Sequence, residues 1–330
     1  MTTNWSTRAR HWVAGMLASA VICATLTTAN SEEYPSKTVR LVVNVAAGGL
    51  TDTLARLAAQ GLNAKWDKPV IVENIVGANS TLAASAVMRA KPDGHTLLAS
   101  ADAPFTSTPH LFKNLNYSLS DFAPIGVICR AVPVLAVRAS LGVKTLPELI
   151  ALTKSKPGTL SYGSMGVGTF GHLGMEDLKK RTGMNMVHVP YRGGAPAIEG
   201  LLRGDVAALI INSSNIAPFE QTGQVTVIAA LSERRSGFRP NLATAIEQGV
   251  PGYSVSTWFG IFGPAEMPSD VTAKIRTALD AALASKKAVD YFKNNSCERV
   301  RASPADFKKL IAADYKHWGD IIQSIGLRAE

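Results

Sequence analysis

Val39-Arg40-Leu41-Val42-Val43-Asn44-Val45-Ala46-Ala47-Gly48-Gly49-Leu50-Thr51-Asp52 runs from a β-branched strand pattern through a glycine pair into a helical pattern. The same order returns at Ser161-Tyr162-Gly163-Ser164-Met165-Gly166-Val167-Gly168-Thr169-Phe170-Gly171-His172. It comes a third time at Pro190-Tyr191-Arg192-Gly193-Gly194-Ala195-Pro196. Strand, glycine turn and helix together make the repeating step of a βαβ fold with mostly parallel sheets.

Working outward, short Val- and Ile-rich runs alternate with helical stretches. The runs predict strands at Val39–Asn44, Val70–Glu73, Thr96–Ser100, Ile125–Cys129, Val134–Val137, Leu160–Gly163, Met186–Pro190, Ala207–Ile211, Val225–Ala230 and Thr257–Phe262. Helices are predicted at Thr53–Ala64, Thr81–Ala90, Leu146–Ser155, Leu173–Thr182 and Ala195–Arg203. After Pro268, apolar residues at three-to-four spacing predict helices over Val271–Ala284 and Pro304–Ile325. Only Arg130-Ala131-Val132-Pro133 separates two strand runs, which suits a chain crossing between lobes without a helix. A second crossing is expected near Tyr253–Trp258, after which the C-terminal helices return to the first lobe.

The start of the chain reads as a secretory leader over residues 1–29. Arg8 and Arg10 precede an uncharged, mostly apolar stretch, Trp12–Ala24, and Thr27-Thr28-Ala29 supplies small residues for cleavage. The apolar stretch is too short to span a bilayer. Net charge is +9 for the whole chain, and +7 once Arg8 and Arg10 leave. A basic surface favours anionic partners. The cations are scattered and not interleaved with aromatics, which argues against nucleic acid. Cys129 and Cys297 remain after the leader; they could pair or stay buried and free.

The glycine turns carry the candidate chemistry. A helix start offers unpaired N–H groups and the positive end of the helix dipole, which suits a carboxylate. In the first turn the candidates are Ala47, Gly48, Gly49, Thr51 and Asp52. Thr51 or Asp52 is placed to act as N-cap, and Asp52 reads foremost as a cap. In the second turn Ser164, Gly168 and Thr169 are candidates, while His172 reads first as a residue that stabilises its own loop. Arg192 and Gly193 belong to the third turn, and Asn212 ends the strand run Ala207–Ile211. Arg192 could pair bidentately with a carboxylate or stand as a solvated surface cation.

Other chemistries fit less well. Gly166, Gly168 and Gly171 spell a G-x-G-x-x-G, but Tyr191 occupies the place where a dinucleotide site needs an acid. His95, His110, His188 and His317 lack metal-ligand spacing. Tyr162 stands where a nucleophile elbow around Ser164 would need glycine. No nucleophile with its base is apparent, and no cofactor is implied.

Taken together these segments resemble the Bug receptors, the substrate-binding proteins of tripartite tricarboxylate transporters. The resemblance covers nearly the whole chain after the leader. Tyr34-Pro35, Val39–Asp52, Pro69–Asn74, Pro92–Leu98, Ser164–His172, Val189–Ala197, Glu247–Gly252 and Trp258–Pro264 match in order and spacing. It implies an α/β fold of the periplasmic-binding-protein type II kind: two Rossmann-like lobes, a ligand cleft and two crossing strands. Lobe 1 would comprise residues 30–132 and 255–330, and lobe 2 residues 133–254. The implied role is capture of a small organic acid by hinge closure in the periplasm, by a monomer that delivers it to membrane permease subunits. Sensing for a membrane signalling receptor is the alternative. Four residues depart from the family, at three places: Asn44-Val45 replace proline and an aromatic, Asn212 replaces an aspartate, and Ala243 replaces a proline. The first should widen the pocket, and the second should favour an anionic ligand.

Overall fold

The computed structural model describes residues 33–77, 80–255 and 257–328. The expected leader, residues 1–29, lies outside the described residues. Residues 1–36 and 37–330 form separate units. In the first, the Tyr34–Pro35 peptide bond is cis.

The second unit opens with β1 (Val39–Val43), α1 (Leu50–Asn63), β2 (Val70–Asn74), α2 (Thr81–Met88) and β3 (Thr96–Ala101). Two short helices follow, α3 (Ala103–Thr106) and α4 (Thr108–Leu111), and then β4 (Phe122–Ala131). Next come β5 (Pro133–Arg138), α5 (Leu146–Ser155), β6 (Ser161–Ser164), α6 (Phe170–Thr182), β7 (Val187–Pro190) and α7 (Gly194–Arg203). After β8 (Ala208–Asn212), α8 (Ser213–Gln221) and β9 (Val225–Ala230), the chain ends with β10 (Trp258–Pro264), α9 (Ser269–Leu283), α10 (Lys286–Asn294), β11 (Cys297–Glu298) and α11 (Pro304–Ser324). Each of the ten expected strands forms, with ends moved by a few residues.

These strands make two mixed sheets, ordered β11-β4-β10-β3-β1-β2 and β7-β6-β8-β5-β9. Strands β1, β2 and β3 are parallel, as are β6, β7 and β8; β10 and β5 run antiparallel to their neighbours. The period of two shows on β5. Leu135 and Val137 join a core with Leu146 and Leu149 of α5 and Leu173 and Leu178 of α6. Val134 and Ala136 face the other way, to Ala197 and Leu201 of α7 and Ile216 of α8. Both faces are buried, so these strands read as continuous apolar runs rather than alternating ones. The first sheet packs Val42, Leu98, Phe262 and Trp258 against Phe307 of α11. Phe105 stacks on Phe262 at 4.1 Å, and Trp258 meets Phe307 edge-on at 5.0 Å.

Helix α11, one of the C-terminal helices expected to return to the first lobe, packs on both sheets. Its Phe307 and Ile311 pack on the first sheet, whereas Trp318, Ile321 and Ile322 join the core of the second. A helix of 21 residues is about 30 Å long, enough to lie along both.

The start of α1 corrects the capping expectation. The N-cap is Gly49, in an extended conformation, not Thr51 or Asp52. Asp52 is the third helical residue, and its carboxylate reaches back to accept the Gly48 N–H at 3.0 Å. An acid at that position commonly turns back toward the cap backbone. It also accepts from Arg56 at 3.0 Å and from the Asn74 amide at 2.9 Å. Arg56 foremost, against the effect of burial and helped by Gly48 and Asn74, holds the Asp52 carboxyl down to about 2. Asp52 is therefore an anion that fixes the turn.

Two further ties secure the crossing strands. Cys129 of β4 and Cys297 of β11 form a disulfide across 168 residues, and both are fully buried. Thr257, in the second crossing, donates its hydroxyl to Asp102 at the end of β3, at 3.2 Å. Burial foremost, with Asp314 nearby, pushes the Asp102 carboxyl up to about 7.

In the chain-entropy picture a cross-link closing so long a loop stabilises by up to about 5 kcal/mol. Replacing Cys129 and Cys297 with alanine should lower the melting temperature by several degrees, and an unchanged melt would refute a structural role. Because folded Asp102 holds its proton to higher pH than the unfolded chain does, it destabilises the fold increasingly as pH rises from about 4 through 7. Asp102→Asn keeps an acceptor for Thr257. It should raise the melting temperature at about pH 8 and have little effect at about pH 3, where both states are mostly protonated. An equal effect at both would contradict this.

Candidate functional site

Strand register decides which ends of the two sheets meet. Ala101, the last residue of β3, lies level with Phe259 of β10, and Phe259 lies level with Cys129 of β4. The chain thus leaves β4, and enters β10, at the carboxyl edge of β1 and β3. In the other sheet Pro133 pairs with Asn212, the last residue of β8, and Val134 with Ala230, the last of β9. Both crossings therefore join one carboxyl edge to the other. From Cys129 to Pro133 is four residue steps, about 13 Å when extended. Ser213 N–H to Val132 O, and Ala131 N–H to Thr257 O, stitch the crossings in place. Ligands of open α/β sheets settle at the carboxyl ends of the strands.

On the first edge, residues 46–49 are exposed, while Asn44, Thr51 and Asp52 are buried. The Gly48 N–H is held by Asp52. The N–H groups of Leu50 and Thr51 open α1, where no carbonyl lies four residues behind. Asn44 donates to the Ser80 hydroxyl at 2.9 Å, and the Asn74 amide donates to Val45 O at 2.9 Å, so the loop is tied at its entrance. Ala47 and Gly49 stand on its exposed rim.

The second edge gathers Ser164, Gly168, Thr169, His172, Arg192, Gly193 and Asn212. Met165 and Asn215 flank Gly194, and Tyr191 O lies against Gly166, so the turns after β6, β7 and β8 are neighbours. Gly168 has φ +79°, and a Cβ there would sit 2.2 Å from Leu111 of α4. A short helix that lies between β3 and β4 in the chain thus touches a turn of the second sheet. At Gly171 a Cβ would strike the Ile210 carbonyl, at 2.7 Å, so α6 can approach β8 only with glycine there. Ser164 is buried, and its hydroxyl contacts Gly166 N, Gly166 O and His188. The Thr169 hydroxyl donates to Gly166 O at 2.8 Å. His172 Nδ1 accepts the Gly168 N–H at 3.1 Å, so this ring does hold its own loop. Burial foremost, then the adjacent His188 ring, pushes His172 down to about 4. Arg192 is exposed and makes no ion pair among the described residues. Asn212 is buried at the strand end.

The structure adds residues that sequence reasoning missed. Ser164 Oγ lies 2.7 Å from His188 Nε2, so a hydroxyl and an imidazole do meet here. His188 carried no signal, because adjacency across parallel strands is invisible to sequence spacing. The pair lacks the rest of a nucleophilic site. Ser164 is 1% exposed, and no carboxylate is hydrogen-bonded to His188 among the described residues. Arg56 and Asn74, which buttress Asp52, were also unread. Recesses of about 640 and 480 Å³ lie around Pro124, Met267 and Lys308, at the opposite edge of the first sheet.

A family described as the tripartite tricarboxylate transporter family receptor matches residues 54–327. The protein BugT of Bordetella pertussis is 30% identical over 94% of this chain and 95% of its own length. Rpa4515 of R. palustris, solved with adipate, superposes with a TM-score of 0.80 at 30% identity, covering 90% of this chain and 99% of the other. MatC from Rhodopseudomonas palustris, with bound malate, gives a TM-score of 0.75 at 28% identity, covering 88% and 100%. With its two sheets joined by two crossings, this chain belongs to the receptor family of tripartite tricarboxylate transporters, the Bug receptors, and has their two-lobed fold.

Proposed function

We propose that this chain is an exported periplasmic receptor that closes two lobes over a small organic carboxylate and delivers it to the membrane subunits of a tripartite transporter. The observation that carries the reading is the joining of the two carboxyl edges, each bordered by glycine turns at helix starts, through two short crossings. Helix starts supply N–H groups and a positive dipole end without needing a charged side chain. Acids in the relatives support the same chemistry: adipate in Rpa4515 and malate in MatC.

The lobes proposed are residues 30–132 with 255–330, and 133–254. Ala47, Gly48, Gly49 and Thr51 act from the first, with Asp52 shaping their turn. Gly168, Thr169, Arg192, Gly193 and Asn212 act from the second, with Ser164 and His172 shaping theirs. A ligand touching both lobes stabilises the closed form because only that form makes both sets of contacts. A di- or tricarboxylate, an acidic amino acid or an aromatic acid fits this description, taken up by a monomer. Binding and release, not turnover, are the chemistry these residues support.

A thermal-shift screen of the leaderless protein against organic acids tests the reading. An acid at about 100 times its dissociation constant should add about 2.7 kcal/mol of stability, a plain rise in melting temperature. No shift with any mono-, di- or tricarboxylate would sink it. Arg192→Ala removes an exposed cation with no ion-pair partner among the described residues, so the fold should be untouched. Loss of one charge-assisted hydrogen bond should weaken acid binding by about tenfold or more. Affinity unchanged in calorimetry would remove Arg192 from the site.

A further inference from the structure

Behind the second glycine turn stands a column of rings from three elements. His188 of β7 lies between Tyr162 of β6 and His172 of α6. Its centroid distances are 4.9 Å to Tyr162 and 3.9 Å to His172, and the two histidine rings are 8° from parallel. The charged groups facing this column are Glu176 and Lys179 of α6. Tyr162 donates its hydroxyl to Glu176 at 2.5 Å, and Lys179 pairs with Glu176 at 2.7 Å. Burial foremost lowers both histidines below their ordinary value, His172 to about 4. Both rings are therefore neutral near neutral pH.

Hydrogen-bond counting then fixes their tautomers. His172 Nδ1 receives the Gly168 N–H, so it is bare and the ring proton sits on Nε2. Ser164 has one hydroxyl proton and three polar neighbours. With that proton on Gly166 O, its oxygen accepts from the Gly166 N–H and from His188 Nε2–H, and every group is satisfied. Gly166 and Gly168 have φ of +134° and +79°, conformations open to glycine. Such a backbone has many alternatives, and these hydrogen bonds select one.

We infer that His188 and His172 are positioning residues of the ligand-binding turn, His188 acting through Ser164 and by stacking on His172, and that the turn keeps its binding shape only with the His172 ring neutral. This rests on the carboxylate reading above. Burial removes His172 from the range in which an ordinary histidine titrates, so the turn holds its shape across that range.

The test uses the leaderless protein with malate and adipate as probes. His172→Ala and His188→Ala should each weaken acid binding about tenfold, one hydrogen bond's worth. His172→Asn keeps an acceptor near Nδ1 and His188→Gln keeps a donor near Nε2, so both should bind within about threefold of wild type. Nitrogen-15 spectra should show that the His172 ring does not titrate between about pH 5.5 and 8. Alanine variants that fold normally and bind both acids as wild type does would overturn the proposal, as would a His172 ring titrating near its ordinary value. If neither acid binds the wild type, the carboxylate reading fails for these probes, and the Gly168 amide decides this proposal by itself. Its hydrogen exchange should be about tenfold faster in His172→Ala; an equal rate would overturn the proposal.

Discussion

Backbone pairing at two places governs the functional end of this molecule: the row Ala101–Phe259–Cys129 in the first sheet, and the pair Pro133–Asn212 in the second. These hydrogen bonds set where the chain leaves each sheet. Shifting a strand by one residue would turn its buried face outward, so the register is held by the whole core and not by the hinge alone. Because both exits fall at carboxyl edges, the starts of α1, α6, α7 and α8 gather at the joined rims. The anion preference proposed here rests on peptide geometry before any side chain is considered.

Side chains at the turns act mainly on the turns themselves. Asp52 holds Gly48, Ser164 holds Gly166, and His172 holds Gly168. A glycine-rich loop left free would lose conformational freedom on meeting a ligand, and this loss would subtract from affinity. Prior fixing of the backbone reduces that loss. It also explains why buried polar groups sit so close to the turn glycines: the first shape the second.

Much of this was legible in the sequence. Ten strands and seven helices declared themselves because Val- and Ile-rich runs and three-to-four spacing are local signals. The three glycine turns were equally plain, and so was the short crossing at Arg130–Pro133. Other features were hidden for definite reasons. Helices α3 and α4 span four residues each, too few for a period to show. Pro218 interrupts the pattern of α8. The Cys129–Cys297 bond and the stacking of His188 on His172 join segments far apart in the chain or on neighbouring strands. The Asp52 cap was misplaced by three residues because Gly49 itself adopts the extended cap conformation.

Closure of one carboxyl edge upon the other is the central claim, and a distance measurement reads it directly. Ile71 on β2 and Val187 on β7 are exposed, on the outermost strands of their sheets. Spin labels at Ile71→Cys and Val187→Cys, with the native disulfide intact, allow the separation to be followed by pulsed electron resonance. Adding a binding acid should narrow the distance distribution and move it to a new mean. A distribution that stays the same at saturating acid would contradict the account.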